Sequence, residues 1–97
     1  MAQTARVHIS RIDEDSDKAS LQFNEESSRL LGKKPLLFEQ APEGIFISVP
    51  QVDAPGAKKI TFKKRVLEFD LDEEFVRGYY DVVQTSKDSF LIRIPWL

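Results

Sequence analysis

The chain has 97 residues, 41% of them hydrophobic and 31% charged, with no cysteine. That is one domain's length with enough apolar residues for a modest core, which excludes a disordered chain, a disulfide framework, a thiolate zinc site and a thiol nucleophile. A net charge of −2 excludes an overall basic field, and no apolar run approaches the ~20 residues of a membrane-spanning helix.

Arg6 to Ile12 alternates with a period of two and predicts a strand with Val7 and Ile9 on one face. An acidic loop, Asp13 to Asp17, ends it. Ser20 to Asn24 is a second strand that sets Leu21 and Phe23 together, and Glu25 to Leu31 is a short helix that Gly32 can end in a left-handed cap. Pro35 to Gln40 is a strand, Ala41 to Gly44 a turn, and Ile45 to Val49 a strand with Ile45, Ile47 and Val49 inward. Residues 51–58, holding Pro55 and Gly56, form a connector. Ile60 to Phe62 is a short strand, Lys63 to Arg65 a tight turn or bulge, and Val66 to Leu71 a strand. Asp72 to Arg77 is a second short helix capped by Gly78, and Asp81 to Thr85 and Phe90 to Ile94 form a hairpin closed by Ser86 to Ser89.

The two halves align on each other with one gap, at Pro42. Leu21 falls on Leu67, Phe23 on Phe69, Asn24 on Asp70, Leu30 on Val76 and Gly32 on Gly78, while Ile45, Ile47, Val49 and Pro50 fall on Phe90, Ile92, Ile94 and Pro95. The matched positions punctuate the chain or face a core. Each half is too small to bury its own apolar face, so two copies must share one core. The expected fold is therefore mainly β, a single domain over residues 1–97. It is a small barrel with two short helices, built from a pseudo-two-fold duplication of a strand–helix–hairpin unit, with repeat 1 about 5–50 and repeat 2 about 59–95.

The segment Ser20-Leu-Gln-Phe-Asn-Glu-Glu-Ser-Ser-Arg-Leu-Leu-Gly32 resembles the strand-and-helix segment of the cradle-loop barrel group. It is similar to AbrB-type swapped-hairpin DNA-binding domains and to the double-psi barrel of archaeal AAA ATPase N-terminal regions. In the double-psi branch one chain of this length carries both halves; in the AbrB branch two chains supply one half each. Both halves are present here, so a monomer is expected, with an intertwined dimer as the alternative. Both branches usually carry Gly-Asp before the third strand. This chain has Lys33-Lys-Pro35 in the first copy and keeps only Asp81 in the second.

Candidate chemistry is sparse. His8 is the single histidine, so neither a two-histidine zinc site nor a Ser-His-Asp relay with a spare base can be built, and alternation puts it on the outward side of its strand. Asp13, Asp15 and Asp17 mimic the start of a calcium loop, but Lys18 and Asn24 stand where that loop needs glycine and glutamate, which leaves a solvated acidic loop. Asp70, Asp72, Glu73 and Glu74 are carboxylates of the kind that cap a helix or face a partner. No glycine-rich phosphate loop or nucleotide fingerprint occurs, and no cofactor is implied.

Lys58, Lys59, Lys63, Lys64 and Arg65 place five cations in eight residues, a run suited either to phosphate contacts or to protecting a sheet edge from pairing. Arg6 and Arg11 on the first strand lie near it if the halves are pseudo-symmetric. The AbrB resemblance implies a DNA-contacting role for Arg29. Tyr79, Tyr80 and Trp96 are amphipathic aromatics of the type enriched at protein interfaces. The sequence thus points to a non-enzymatic, cytoplasmic binding module with no membrane partner. The first expectation is a small DNA-binding regulator. The alternative is a protein-interaction domain similar in role to an AAA ATPase substrate-recognition domain.

Overall fold

The alternation in Arg6–Ile12 becomes a strand whose Val7 and Ile9 are fully buried while Arg6, His8 and Ser10 face outward. A computed structural model describes residues 4–32, 34–50, 55–60 and 63–97. Among them are strands β1 (Arg6–Arg11), β2 (Lys18–Phe23), β3 (Leu37–Ala41), β4 (Gly44–Ser48), β5 (Val66–Asp70), β6 (Gly78–Ser86) and β7 (Ser89–Arg93), with one helix, α1 (Glu25–Leu31). The strands form one antiparallel sheet in the order β3-β4-β7-β6-β1-β2-β5.

The sheet curls into a half-barrel that brings its two edge strands face to face. Phe38 of β3 lies between Phe23 and Phe69, with ring centroids 6.3 and 6.1 Å away, so an aromatic row spans the seam from β3 to β5. Gln40 closes one end of the seam by accepting from the Asp72 amide at 3.0 Å and donating to its carboxylate. At the other end Lys58 pairs with Leu36 through two backbone hydrogen bonds of 2.7 and 2.8 Å. The core inside the curl includes Leu21, Ile45, Ile47, Leu67, Phe90 and Ile92, all on the inward parity of their strands, with Leu31 of α1 and Ile60 added from outside the sheet. Gly44 is required where β4 begins: its φ is +145°, and a Cβ there would fall 1.9 Å from the Ile92 carbonyl oxygen.

Helix α1 forms where expected. Asn24 caps it by accepting from the Ser27 amide at 2.8 Å, and the same carboxamide accepts from Arg6 N and donates to the Thr4 carbonyl. One side chain therefore ties the start of β1 to the start of α1. Gly32 ends the helix with φ −39° and ψ 123°, not in the left-handed conformation expected of it.

The second helix expected over Asp72–Arg77 does not form; the chain there is irregular, and Gly78 opens β6 instead of capping a helix. Arg11 supplies the reason. Its guanidinium donates to the Leu71 and Glu73 carbonyls and to that of Asp17, and it lies 4.9 Å from the centre of the Phe75 ring. Leu97 N takes the Glu74 carbonyl at 2.9 Å. These tertiary partners satisfy carbonyls that a helix would use, and a single short turn cannot offset its own nucleation cost against them. The strand–helix–hairpin unit is therefore not reproduced intact in the second half. Of the strand expected over Ile60–Phe62, residues 61–62 lie outside the described residues, as do residues 51–54 of the connector. Among the described residues no helix is long and apolar enough to cross a membrane.

Candidate functional site

Strands β1, β2 and β5 run side by side, and β2 is antiparallel to both neighbours. The start of β1, the end of β2 and the start of β5 therefore meet at one end of the half-barrel. A groove of about 420 Å³ opens there, lined by Arg6, His8, Gln22, Phe23, Asn24, Glu25, Lys63, Arg65, Val66 and Tyr79. Three cations form its lip. Arg6 meets Asp81 through Nε at 3.3 Å, an exposed pair that is weak in water, and Lys63 and Arg65 form no ion pair among the described residues.

The floor of the groove is set by register. Val66 pairs with Gln22, Gln22 with His8, and His8 with Tyr79, so four outward side chains make a row across β5, β2, β1 and β6. The His8 and Tyr79 rings meet edge-on, with centroids 4.8 Å apart and planes at 68°. Tyr79 is 74% exposed although its strand is interior to the sheet.

The eight basic candidates part company here. Arg6, Lys63 and Arg65 share the groove. Lys58, Lys59 and Lys64 line a second hollow with Ala57, Leu67 and Glu68, and Val66 borders both this hollow and the groove. Lys58 is exposed and reaches β5, its Nζ donating to the Glu68 carbonyl at 3.3 Å. Arg29 stays on α1, paired to Glu25 at 3.0 Å and Glu26 at 3.1 Å, where it offsets the charge of Glu25, the carboxylate that lines the groove. Arg11 lies at the far end of β1, engaged as described. The structure thus brings most of the basic candidates to one side and leaves Arg11 at the other.

The opposite end of the same strands is acidic. Asp13, Asp15 and Asp17 follow β1, and Asp70, Asp72, Glu73 and Glu74 close and follow β5; the Leu71 amide donates to the Asp17 carbonyl at 2.8 Å, which joins the two segments. Among the described residues no three carboxylates are placed to hold one metal ion.

The aromatic candidates do not form one patch. Tyr79 and Tyr80 point to opposite faces of β6: Tyr79 into the groove, and Tyr80 toward the core, opposite Val7. The Tyr80 hydroxyl donates to the Val76 carbonyl, and burial raises its pKa above the usual 10.0. Trp96 is half-buried at the other side of the molecule, its Nε1 donating to the Ala41 carbonyl at 2.8 Å beside Pro42, Leu91, Arg93 and Pro95. His8, Gln22 and Asn24, which no sequence motif marks as site residues, enter the groove. The parity of Arg6 and His8 on an outward face carried that information, but only the pairing of β1 with β2 and β6 shows what stands beside them.

Comparison with known proteins finds no family model, no curated protein and no solved structure that matches this chain.

Proposed function

We propose that the chain is a non-enzymatic nucleic-acid-binding module, of the kind a small DNA-binding regulator uses. One observation carries this reading: three cations from two distant stretches of chain, Arg6 on β1 and Lys63 with Arg65 just before β5, converge on the lip of a single groove. Phosphates are held by such positioned cations, and Arg6 and Arg65 add planar donors suited to phosphate oxygens. Lys58, Lys59 and Lys64 extend the basic surface beside it. The test is fluorescence anisotropy with a labelled DNA duplex across a salt series. Replacing Arg6, Lys63 and Arg65 together by glutamine weakens binding across sequences and shallows the salt slope by about 0.9 for each phosphate no longer neutralised. Equal binding and slope for the wild type and the triple variant would sink the reading.

The expected duplication belongs to the same proposal. Its support is the register. Leu21 faces Leu67 across β2 and β5, and Ile45 faces Ile92 while Ile47 faces Phe90 across β4 and β7. Both pairings are what a local two-fold axis relating the aligned residues requires. On this reading the chain is a cradle-loop-like barrel whose second copy gave up its helix to the Arg11 contacts, and it is monomeric.

A protein-interaction module is the second reading, favoured by a different surface. Phe46, Leu91 and Val83 pair across β4, β7 and β6 on the outward face, giving an apolar row on a solvent-facing sheet, with the Trp96 hollow next to Leu91. A partner held there tolerates salt and is released on truncating Phe46 or Leu91, which separates it from a phosphate ligand.

A further inference from the structure

Deepening the proposed function, and resting on it, we infer that the groove takes unpaired nucleotides, with a base stacked on Tyr79, in preference to an intact duplex. The groove has two levels. Its floor is the row Val66, Gln22, His8 and Tyr79, which crosses four strands and so spans about 14 Å at ~4.8 Å per strand. Its cationic lip is displaced along the strands, since Arg6 stands two residues before His8 on the same face, about 7 Å away. A sugar–phosphate backbone following the lip holds its bases over the floor.

What the floor offers is ring surface. Tyr79 is 74% exposed, and the His8 ring beside it meets it at 68° and is not stacked upon it. An exposed aromatic on an interior strand serves no core, whereas successive bases of a single strand stack on such rings with little regard to sequence. Gln22 lies next in the row, with a carboxamide that can both donate to and accept from a base edge. A duplex does not fit this arrangement. Its bases show the grooves only their edges, and exposing a base face requires unstacking a step against the energy of the duplex. Glu25 at the lip carries the opposing charge, and Arg29 sits on it at 3.0 Å. The shared chemistry is an anionic backbone with an unpaired base, from either single-stranded DNA or RNA.

The test uses the full chain and three labelled probes: twelve-nucleotide oligothymidylate, twelve-nucleotide oligouridylate, and a twelve-base-pair duplex. One or both single strands bind about tenfold tighter than the duplex, and preference between the two strands assigns the source. Tyr79→Ala lowers single-strand affinity about tenfold or more with the salt slope unchanged, because a stack carries no counterion, while Tyr79→Phe retains it. The Tyr79 ring protons shift on adding oligothymidylate, and the Tyr79→Ala melting curve matches the wild type. Duplex binding as tight as single-strand binding, or single-strand binding indifferent to Tyr79→Ala, overturns the inference and leaves the phosphate reading standing. Single-strand and duplex binding both indifferent to the triple charge replacement overturn the phosphate reading as well.

Discussion

Removing the Arg11 side chain tests whether this residue is a clamp within the fold or a contact for a ligand. Its guanidinium donates to three carbonyls: Asp17 at 2.7 Å, Glu73 at 2.7 Å, and that of Leu71, the last in a partly buried position. A hydrogen bond from a charged donor is worth about 1.5–3 kcal/mol when shielded, and the two exposed bonds count for less, about 0.5 kcal/mol each. The contact over the Phe75 ring at 4.9 Å adds about 0.5–1 kcal/mol. Arg11→Ala therefore costs about 3–5 kcal/mol, a large fraction of the stability of a domain this size, and lowers the melting temperature by more than about 10 °C. Urea denaturation measures it as a fall in midpoint with the slope unchanged. Arg11→Lys keeps the charge but has no planar fork to span three carbonyls on two segments, so it recovers only part of the stability. An Arg11→Ala protein that unfolds at the wild-type urea concentration, or an Arg11→Lys protein equal to wild type, refutes the clamp. Nucleic-acid affinity of the folded Arg11→Ala protein stays at the wild-type level, because Arg11 lies at the opposite end of β1 from the groove.

Phe23 and Phe69 align in the sequence but do not sit at equal depth, Phe23 being buried and Phe69 half-buried on an edge strand. Phe23→Ala costs about 3–5 kcal/mol in urea denaturation and Phe69→Ala clearly less; equal costs would contradict the half-barrel packing. Asn24→Ala removes the cap of α1 together with the ties to Arg6 and Thr4, and costs about 1–2 kcal/mol, whereas Asn24→Asp keeps the cap and costs less. The charge replacement at Arg6, Lys63 and Arg65 leaves the urea midpoint unchanged while shallowing the salt dependence of DNA binding, since none of the three is part of the core. Tyr79→Ala separates stacking from phosphate contact by lowering single-strand affinity alone.

Local periodicity carried the inward faces. Val7 and Ile9, Leu21 and Phe23, Ile45 and Ile47, and Phe90 and Ile92 are all buried where alternation puts them, and α1 spans the residues that its pattern marks. The second helix was not legible because Asp72–Arg77 has helix-forming composition, and what overrules it is Arg11, some sixty residues earlier in the chain. Yet half of that outcome was in the parity of β1: Arg11 is an odd step from Arg6 and shares the inward set of Val7 and Ile9, so the two arginines never belonged to one surface. The groove was less legible still. Lys63 and Arg65 were visible as a basic run, but their meeting with Arg6, His8 and Tyr79 depends on β1 lying between β2 and β6, a long-range pairing that no local pattern encodes.

The same geometry reconciles an acidic chain with a basic site. Arg6 and Arg11 mark the two ends of β1, five residues and about 17 Å apart at ~3.3 Å per residue. Two unit charges at that separation in water interact by about 0.25 kcal/mol, and at physiological ionic strength, where the Debye length is about 8 Å, roughly a tenth of that survives. The carboxylates gathered around Asp17 and Asp72 therefore do little to cancel the field at the groove, although they set the sign of the whole. Near 0.01 M salt the Debye length reaches about 30 Å and the acidic end is felt across the molecule. There the segregation acts as a dipole, turning the Arg6, Lys63 and Arg65 lip toward an approaching anion before contact. The net charge of −2 describes the chain seen from far away, and the order of its strands determines what a ligand meets on arrival.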